Sequence, residues 1–195
     1  MNRPLAALFV LALAAPLLQG CAPVVVGGAA TGAAVAHDRR TTGSFIEDQA
    51  IEMKARTELN AEPELSRQAH INVTSFNMIV LVSGEAPTEA LRQRAGAVVG
   101  SVEKVRRVHN EVIVAAPSSM MSRSSDTLIT AKVKTSLFRI KGMEDFNPTR
   151  VKVVTENGTV FLMGLLTRAE ADATARTAST VGGVQRVVKL FEYLD

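Results

Sequence analysis

The sequence predicts an α+β protein built from two tandem copies of one unit. Each copy reads helix, strand, strand, helix, strand, with two helices packed on one face of a three-stranded mixed sheet. Two observations carry this. Blocks of residues recur along the chain. Asp48, Ile51, Ala55 and Leu59 return as Asp126, Ile129, Val133 and Leu137. Ile71, Val73, Asn77 and Gly84 return as Val151, Val153, Asn157 and Gly164, and Gly100, Val102, Val105 and Val108 as Gly182, Val184, Val187 and Leu190. The offset widens slightly from block to block, as small loop insertions would make it. Within each copy, apolar spacing also alternates between helical and strand periods.

The elements follow in order. Ile51, Ala55, Leu59 and Ile129, Val133, Leu137 form the buried stripe of a first helix, with Asp48 and Asp126 placed to cap it. The β-branched runs Ile71–Val73, Met78–Val82, Val151–Val154 and Thr159–Met163 are strands. Asn157-Gly158 is a hairpin signal, whereas Asn77-Met78 implies a longer or more strained turn. Thr167 to Glu170 is a capping box for the second helix, whose inner face carries Ala171, Ala175 and Ala178, as Leu91, Ala95 and Val98 do in the first copy. Gly100 and Gly182 end those helices, and Val102–Val114 and Val184–Leu194 supply the last strand. The expected division is 1–20 signal peptide, 21–43 flexible tether, 44–114 first domain, 115–124 linker and 125–195 second domain. Each domain is expected to close its own core.

Composition narrows the function. The 195 residues are 47% hydrophobic, 21% charged and 4% aromatic, with no Trp and one Cys, which excludes a disordered polymer, a disulfide scaffold and a Cys-based metal site. A net charge of +3 is too small for a polycation that coats nucleic acid. His37, His70 and His109 show no ligand spacing, so neither metal nor cofactor is expected. The nucleophile, base and paired carboxylates of an enzyme are missing too, and His109 reads as a structural strand residue. No catalytic residue is assigned.

Met1–Gly20 has a positive start at Arg3 and an apolar run from Leu5 to Leu18 too short for a comfortable permanent span. It ends in Leu18-Gln19-Gly20-Cys21, which resembles the lipobox of bacterial lipoproteins; a plain secretory signal with an incidental cysteine is the alternative. That resemblance implies a Cys21 carrying diacylglycerol and an amide-linked acyl chain such as palmitate, anchoring the chain in a membrane. Ala22 in place of Asp implies sorting to the outer membrane. Ala22–Ala36 is small, apolar and Gly-containing, as a tether would be.

The unit, with Gly84 and Gly164 ending the second strand and Gly-x-Val-x-x-Val at Gly100–Val105 and Gly182–Val187, resembles the BON domain. A lipobox before two such domains is similar to the dual BON-domain lipoproteins of the proteobacterial outer membrane. The most specific stretches are Ala69–Thr74, Asp126–Thr130 and Val154–Leu165. The resemblance implies a protein on the inner leaflet of the outer membrane, facing the periplasm. It also implies binding of anionic phospholipid (phosphatidylglycerol, cardiolipin) through the second domain, support of envelope integrity, and enrichment at the division site. One departure stands out: the family carries Trp where this chain has Leu128.

Charge separates the copies. Asp48–Glu62 holds four acids and two bases, whereas Arg123–Lys141 holds five bases and one acid. With the core stripe inward, Leu128, Lys132, Thr135 and Arg139 share an outward face, and Lys134 and Lys141 flank it. Such a face suits an anionic headgroup layer; a solvated basic helix without a partner is the alternative. A second function is a protein-interaction adaptor in which the acidic first domain docks an outer-membrane protein.

Overall fold

The computed structural model describes residues 39–195. The expected signal peptide, Cys21 and most of the expected tether lie outside the described residues. None of the described helices is long and apolar enough to cross a membrane.

The first helix, α1 (Thr42–Ala61), begins well before Asp48, because the Thr41 side chain accepts the Ser44 N–H and caps it. Its counterpart α4 (Met120–Leu137) is likewise capped by Ser119. Asp48 and Asp126 are therefore buried inside their helices, at 1% and 6% exposure, and do not cap them. Asp48 accepts the backbone N–H of Asn77 and Met78, at 2.8 and 2.7 Å, and the Ser75 hydroxyl at 2.6 Å. Asp126 accepts those of Asn157 and Gly158, both at 2.9 Å. The repeated aspartates tie each first helix to its hairpin turn. They mimic N-caps in sequence because each stands about one turn ahead of the apolar stripe.

Those turns join β1 (His70–Phe76) to β2 (Ile79–Ala86), and β5 (Lys152–Glu156) to β6 (Thr159–Leu166), each pair antiparallel. Both turns place two left-handed residues between the strands: Asn77 and Met78 at φ 51 and 62, Asn157 and Gly158 at φ 47 and 70. The first turn is thus strained at Met78 rather than longer; a left-handed residue with a Cβ costs about 1–2 kcal/mol, and the two bonds to Asp48 offset it.

The second helices are α3 (Glu89–Gly100) and α5 (Arg168–Ser179), the latter opening with the Thr167–Glu170 capping box. The glycine-valine motifs that follow are turns, not strand: Val102 N–H donates to Val99 O and Val184 N–H to Val181 O. The last strands begin later, as β3 (Arg107–Asn110) with β4 (Ile113–Val114), and as β7 (Arg186–Tyr193), all parallel to the hairpin's second strand. In the first copy the strand is broken because the Asn110 side chain takes the Val112 N–H out of the ladder, so that sheet has four strands to the other's three. Gly84 and Gly164 do not end their strands. Gly84 has φ +115, and a Cβ there would lie 1.9 Å from the His70 carbonyl oxygen. Only glycine lets β1 start this close to β2.

The first copy also contains the short helix α2 (Pro63–Gln68) and the second a 3-10 turn, Pro148–Arg150. Because α4 starts at Met120, the link between copies shrinks to 115–119, with Met120–Ser124 helical rather than linker. The end of the expected tether is equally ordered. Arg39 grips Glu170 with two hydrogen bonds, at 2.6 and 2.9 Å, and Arg40 bonds Asp48 at 2.6 Å while covering the Phe76 ring.

Each copy buries its own apolar core between helices and sheet, around Ile51, Val80 and Val99 in the first and Val133, Leu162 and Ala171 in the second. A third cluster joins them. Phe76 and Leu81 of the first sheet meet Phe161, Met163 and Leu190 of the second on the faces away from the helices. The strand alternation explains it, since Val80 and Val82 point to the helices and Leu81 points to the other sheet. The two sheets pack face to face between two helical layers.

Candidate membrane-binding site

The outward face of α4 is built by its period. Asp126, Ile129, Val133 and Leu137 point into the core, which turns Leu128, Lys132, Thr135 and Arg139 to solvent. Leu128 is 62% exposed. These four residues, with Ala131 and Ser136, line one side of a shallow cavity of about 560 Å³. The opposite wall is Thr180, Val181 and Gly182 after α5. Gly183 permits this approach: its φ is +101, and a Cβ there would lie 3.0 Å from the Ile129 side chain.

The candidate residues differ in what they offer. Lys132, Lys134, Arg139 and Lys141 are exposed, and among the described residues no carboxylate pairs with any of them. Arg139 and Lys141 lie just beyond the helix, where cations complement the free carbonyls of its last turn. Lys132, Arg139 and Leu128 border the cavity, whereas Lys134 and Lys141 do not. The Thr135 hydroxyl donates to the Ala131 carbonyl at 2.9 Å, which leaves it only as an acceptor, a poor match to a phosphate.

Met121 was not legible as part of this face, because Met120–Ser124 reads as linker. Projecting the helical period back from Leu128 by two turns reaches it, and it is 83% exposed. Phe138, at the end of α4, is also exposed, at 66%. The face thus carries Met121 and Leu128 toward its start, with cations and the apolar Phe138 toward its end.

The first copy has the same helix with a different surface. Lys54, the counterpart of Lys132, pairs with Glu103 at 3.3 Å, and Lys104 with Glu47 at 2.6 Å. The second copy has Gln185 and Ser125 where those acids stand. Ala50 and Ala61 occupy the places of Leu128 and Arg139. His109 sits half-buried in β3, and burial, helped by the Arg107 charge and opposed by that of Glu111, lowers its pKa.

Comparison with known proteins resolves the family. A BON domain model matches residues 47–116 and 125–195. The chain belongs to the BON-domain family. It is 38% identical over 195 residues to the outer membrane lipoprotein DolP of Haemophilus influenzae, covering 98% of both chains. It is 34% identical over 158 residues to a 21 kDa hemolysin of Actinobacillus pleuropneumoniae, covering 81% of this chain and 80% of the relative. With the osmotically-inducible protein Y of Escherichia coli K12 it shares 30% over 149 residues, 74% of this chain and 72% of the relative. By its end-to-end likeness to DolP, this BON protein is an outer-membrane lipoprotein of the envelope.

Proposed function

We propose that this BON lipoprotein binds anionic phospholipid, such as phosphatidylglycerol or cardiolipin, through the outward face of α4. In this reading a lipidated Cys21 anchors it to the inner leaflet of the outer membrane, facing the periplasm. There it supports envelope integrity at the division site without catalysing a reaction. The single observation that carries the reading is the unneutralised face itself: among the described residues Lys132 and Arg139 have no acidic partner, and they flank a shallow cavity beside an exposed Leu128. Each basic residue near an anionic surface contributes about 1 kcal/mol, falling away within a Debye length. Intrinsic binding is therefore weak, and a lipid anchor makes weak binding sufficient by raising the local concentration. Leu128 and Met121 insert only shallowly, since Leu lacks the amphipathic ring of Trp.

Vesicle cosedimentation tests the reading. The chain should pellet with phosphatidylglycerol or cardiolipin vesicles, less so in high salt, and not with neutral phosphatidylcholine vesicles. Undiminished pelleting of a Lys132→Glu, Arg139→Glu variant would sink it, and docking of an outer-membrane protein by the first BON domain would then lead. Mass spectrometry of the processed N-terminus should show an acylated Cys21; an unmodified thiol there would remove the anchor.

A further inference from the structure

The seam between the two sheets holds a polar group that membrane binding does not use. His70 opens β1 and stands across the ladder from Glu85 of β2. Glu156 closes β5 of the other repeat. His70 Nδ1 lies 3.1 Å from Glu85 Oε2 and 4.0 Å from Glu156 Oε1. One ligand atom from each residue lies within 4.8 Å of the other two. The carboxylates are buried, at 1% and 8% exposure.

Among the described residues neither carboxylate is paired with a Lys or Arg. Lys152 is engaged by Glu52 at 2.8 Å, and Arg123 donates to the Ser118 carbonyl and hydroxyl. Burial pushes the Glu156 carboxyl above its usual range, against the Asn72 hydrogen bond and the His70 charge, and the nearby Glu85 and Asp126 charges push it the same way as burial. Burial opposes ionisation of Glu85 as well, but hydrogen bonds from Asn157, Ser118 and His70 outweigh it and hold that carboxyl low. Two buried acids thus face one imidazole with no Lys or Arg salt bridge to either among the described residues, although Arg123 lines the same cavity.

We propose that His70 Nδ1, Glu85 Oε2 and Glu156 Oε1 form a three-ligand zinc site that joins the two repeats. Zinc holds imidazole nitrogen and carboxylate oxygen at about 2.0–2.2 Å, which sets its donors about 3.5 Å apart; His70 and Glu85 are already that close, and Glu156 must move inward by roughly 1 Å. The outer oxygens are already fixed: Asn72 donates to Glu156 Oε2 at 2.9 Å, and Asn157 donates to Glu85 Oε1. Such outer bonds orient ligating carboxylates. A cavity of about 300 Å³ reaches His70 and Glu156 and supplies an entry path and room for a water as fourth ligand. The imidazole favours zinc over magnesium or calcium, which prefer oxygen alone. Binding takes the place of the His70–Glu85 hydrogen bond.

The test uses the full chain in detergent, stripped with a chelator, and Zn²⁺ alone as the probe. The thermal midpoint should rise with Zn²⁺ and return with EDTA, and calorimetric titration should give one site. His70→Asn and Glu156→Gln should each weaken zinc binding by at least about tenfold. Glu156→Gln also removes a buried charge, so its metal-free midpoint reports that it still folds. His37→Asn and His109→Asn should keep the full response. No rise with Zn²⁺, an equal rise in His70→Asn, or an equal rise with Mg²⁺ would each overturn the site.

Discussion

The two repeats share a helix, a hairpin and a turn-capping aspartate, yet present opposite surfaces to solvent. In the first, Lys54 and Lys104 are neutralised within the repeat by Glu103 and Glu47. In the second, those two acids are Gln185 and Ser125, and the apolar Leu128 replaces Ala50. The fold is held by buried residues that duplication copied closely. Surface charge is set by exposed ones, which were free to diverge. The second copy differs both by gaining cations, such as Arg139 in place of Ala61, and by losing the acids that would cancel them.

Charge is the widest difference between the repeats, and erasing it should have the greatest effect. Reversing Lys132 and Arg139 to Glu changes the facing charge by four, about 4 kcal/mol at roughly 1 kcal/mol per charge, and cosedimentation with anionic vesicles should fall below detection. The unfolding midpoint should stay put, because both residues are exposed. Next comes the shared aspartate. Asp126→Ala strips the acceptor from two backbone N–H groups, and chemical denaturation should show a loss of about 2–4 kcal/mol. Asp48→Ala should cost at least as much, since Asp48 also holds Ser75 and Arg40.

Copying the strained first turn into the second repeat, by Gly158→Met, should cost about 1–2 kcal/mol through its positive φ; an unchanged midpoint would mean that Met78 is not strained either. Returning the missing acids, by Gln185→Glu with Ser125→Glu, should weaken vesicle binding several-fold, or about 1 kcal/mol, without touching any cation. The smallest effect is titration of His109, whose counterpart in the second repeat is Phe191. Burial lowers the folded pKa of His109, so the unfolded chain takes up its proton first. Its contribution is complete above the ordinary histidine value of about 6.5 and is lost as pH falls through the window below it. Thermal midpoints measured across that range should fall in the wild type and fall less in His109→Phe.

What could be read from the sequence was local. The helical stripes, the Asn157-Gly158 turn, the Thr167 capping box and the basic face of α4 all follow from spacings within one element. Errors arose where two local signals compete. An aspartate ahead of an apolar stripe reads as an N-cap, but Thr41 and Ser119 cap the helices, and the aspartates reach across to the hairpins. Ser-rich Pro117–Ser124 reads as linker, so Met121 was lost from the face it extends. The glycine-valine motifs read as strand because their valines are apolar, though they dip into the core from a turn. Contacts between repeats, such as Asn72 with Glu156, leave no periodic trace. That is why His70 looked isolated from any ligand.

The third apolar cluster has a consequence beyond packing. A single unit of this kind would expose the sheet face that here carries Phe161, Met163 and Leu190, and the usual remedy for such a face is a second copy of the chain. Duplication supplies that copy in cis, so the protein behaves as a dimer whose halves never part on dilution. The assembled form of this lipoprotein therefore does not depend on how many copies the cell makes.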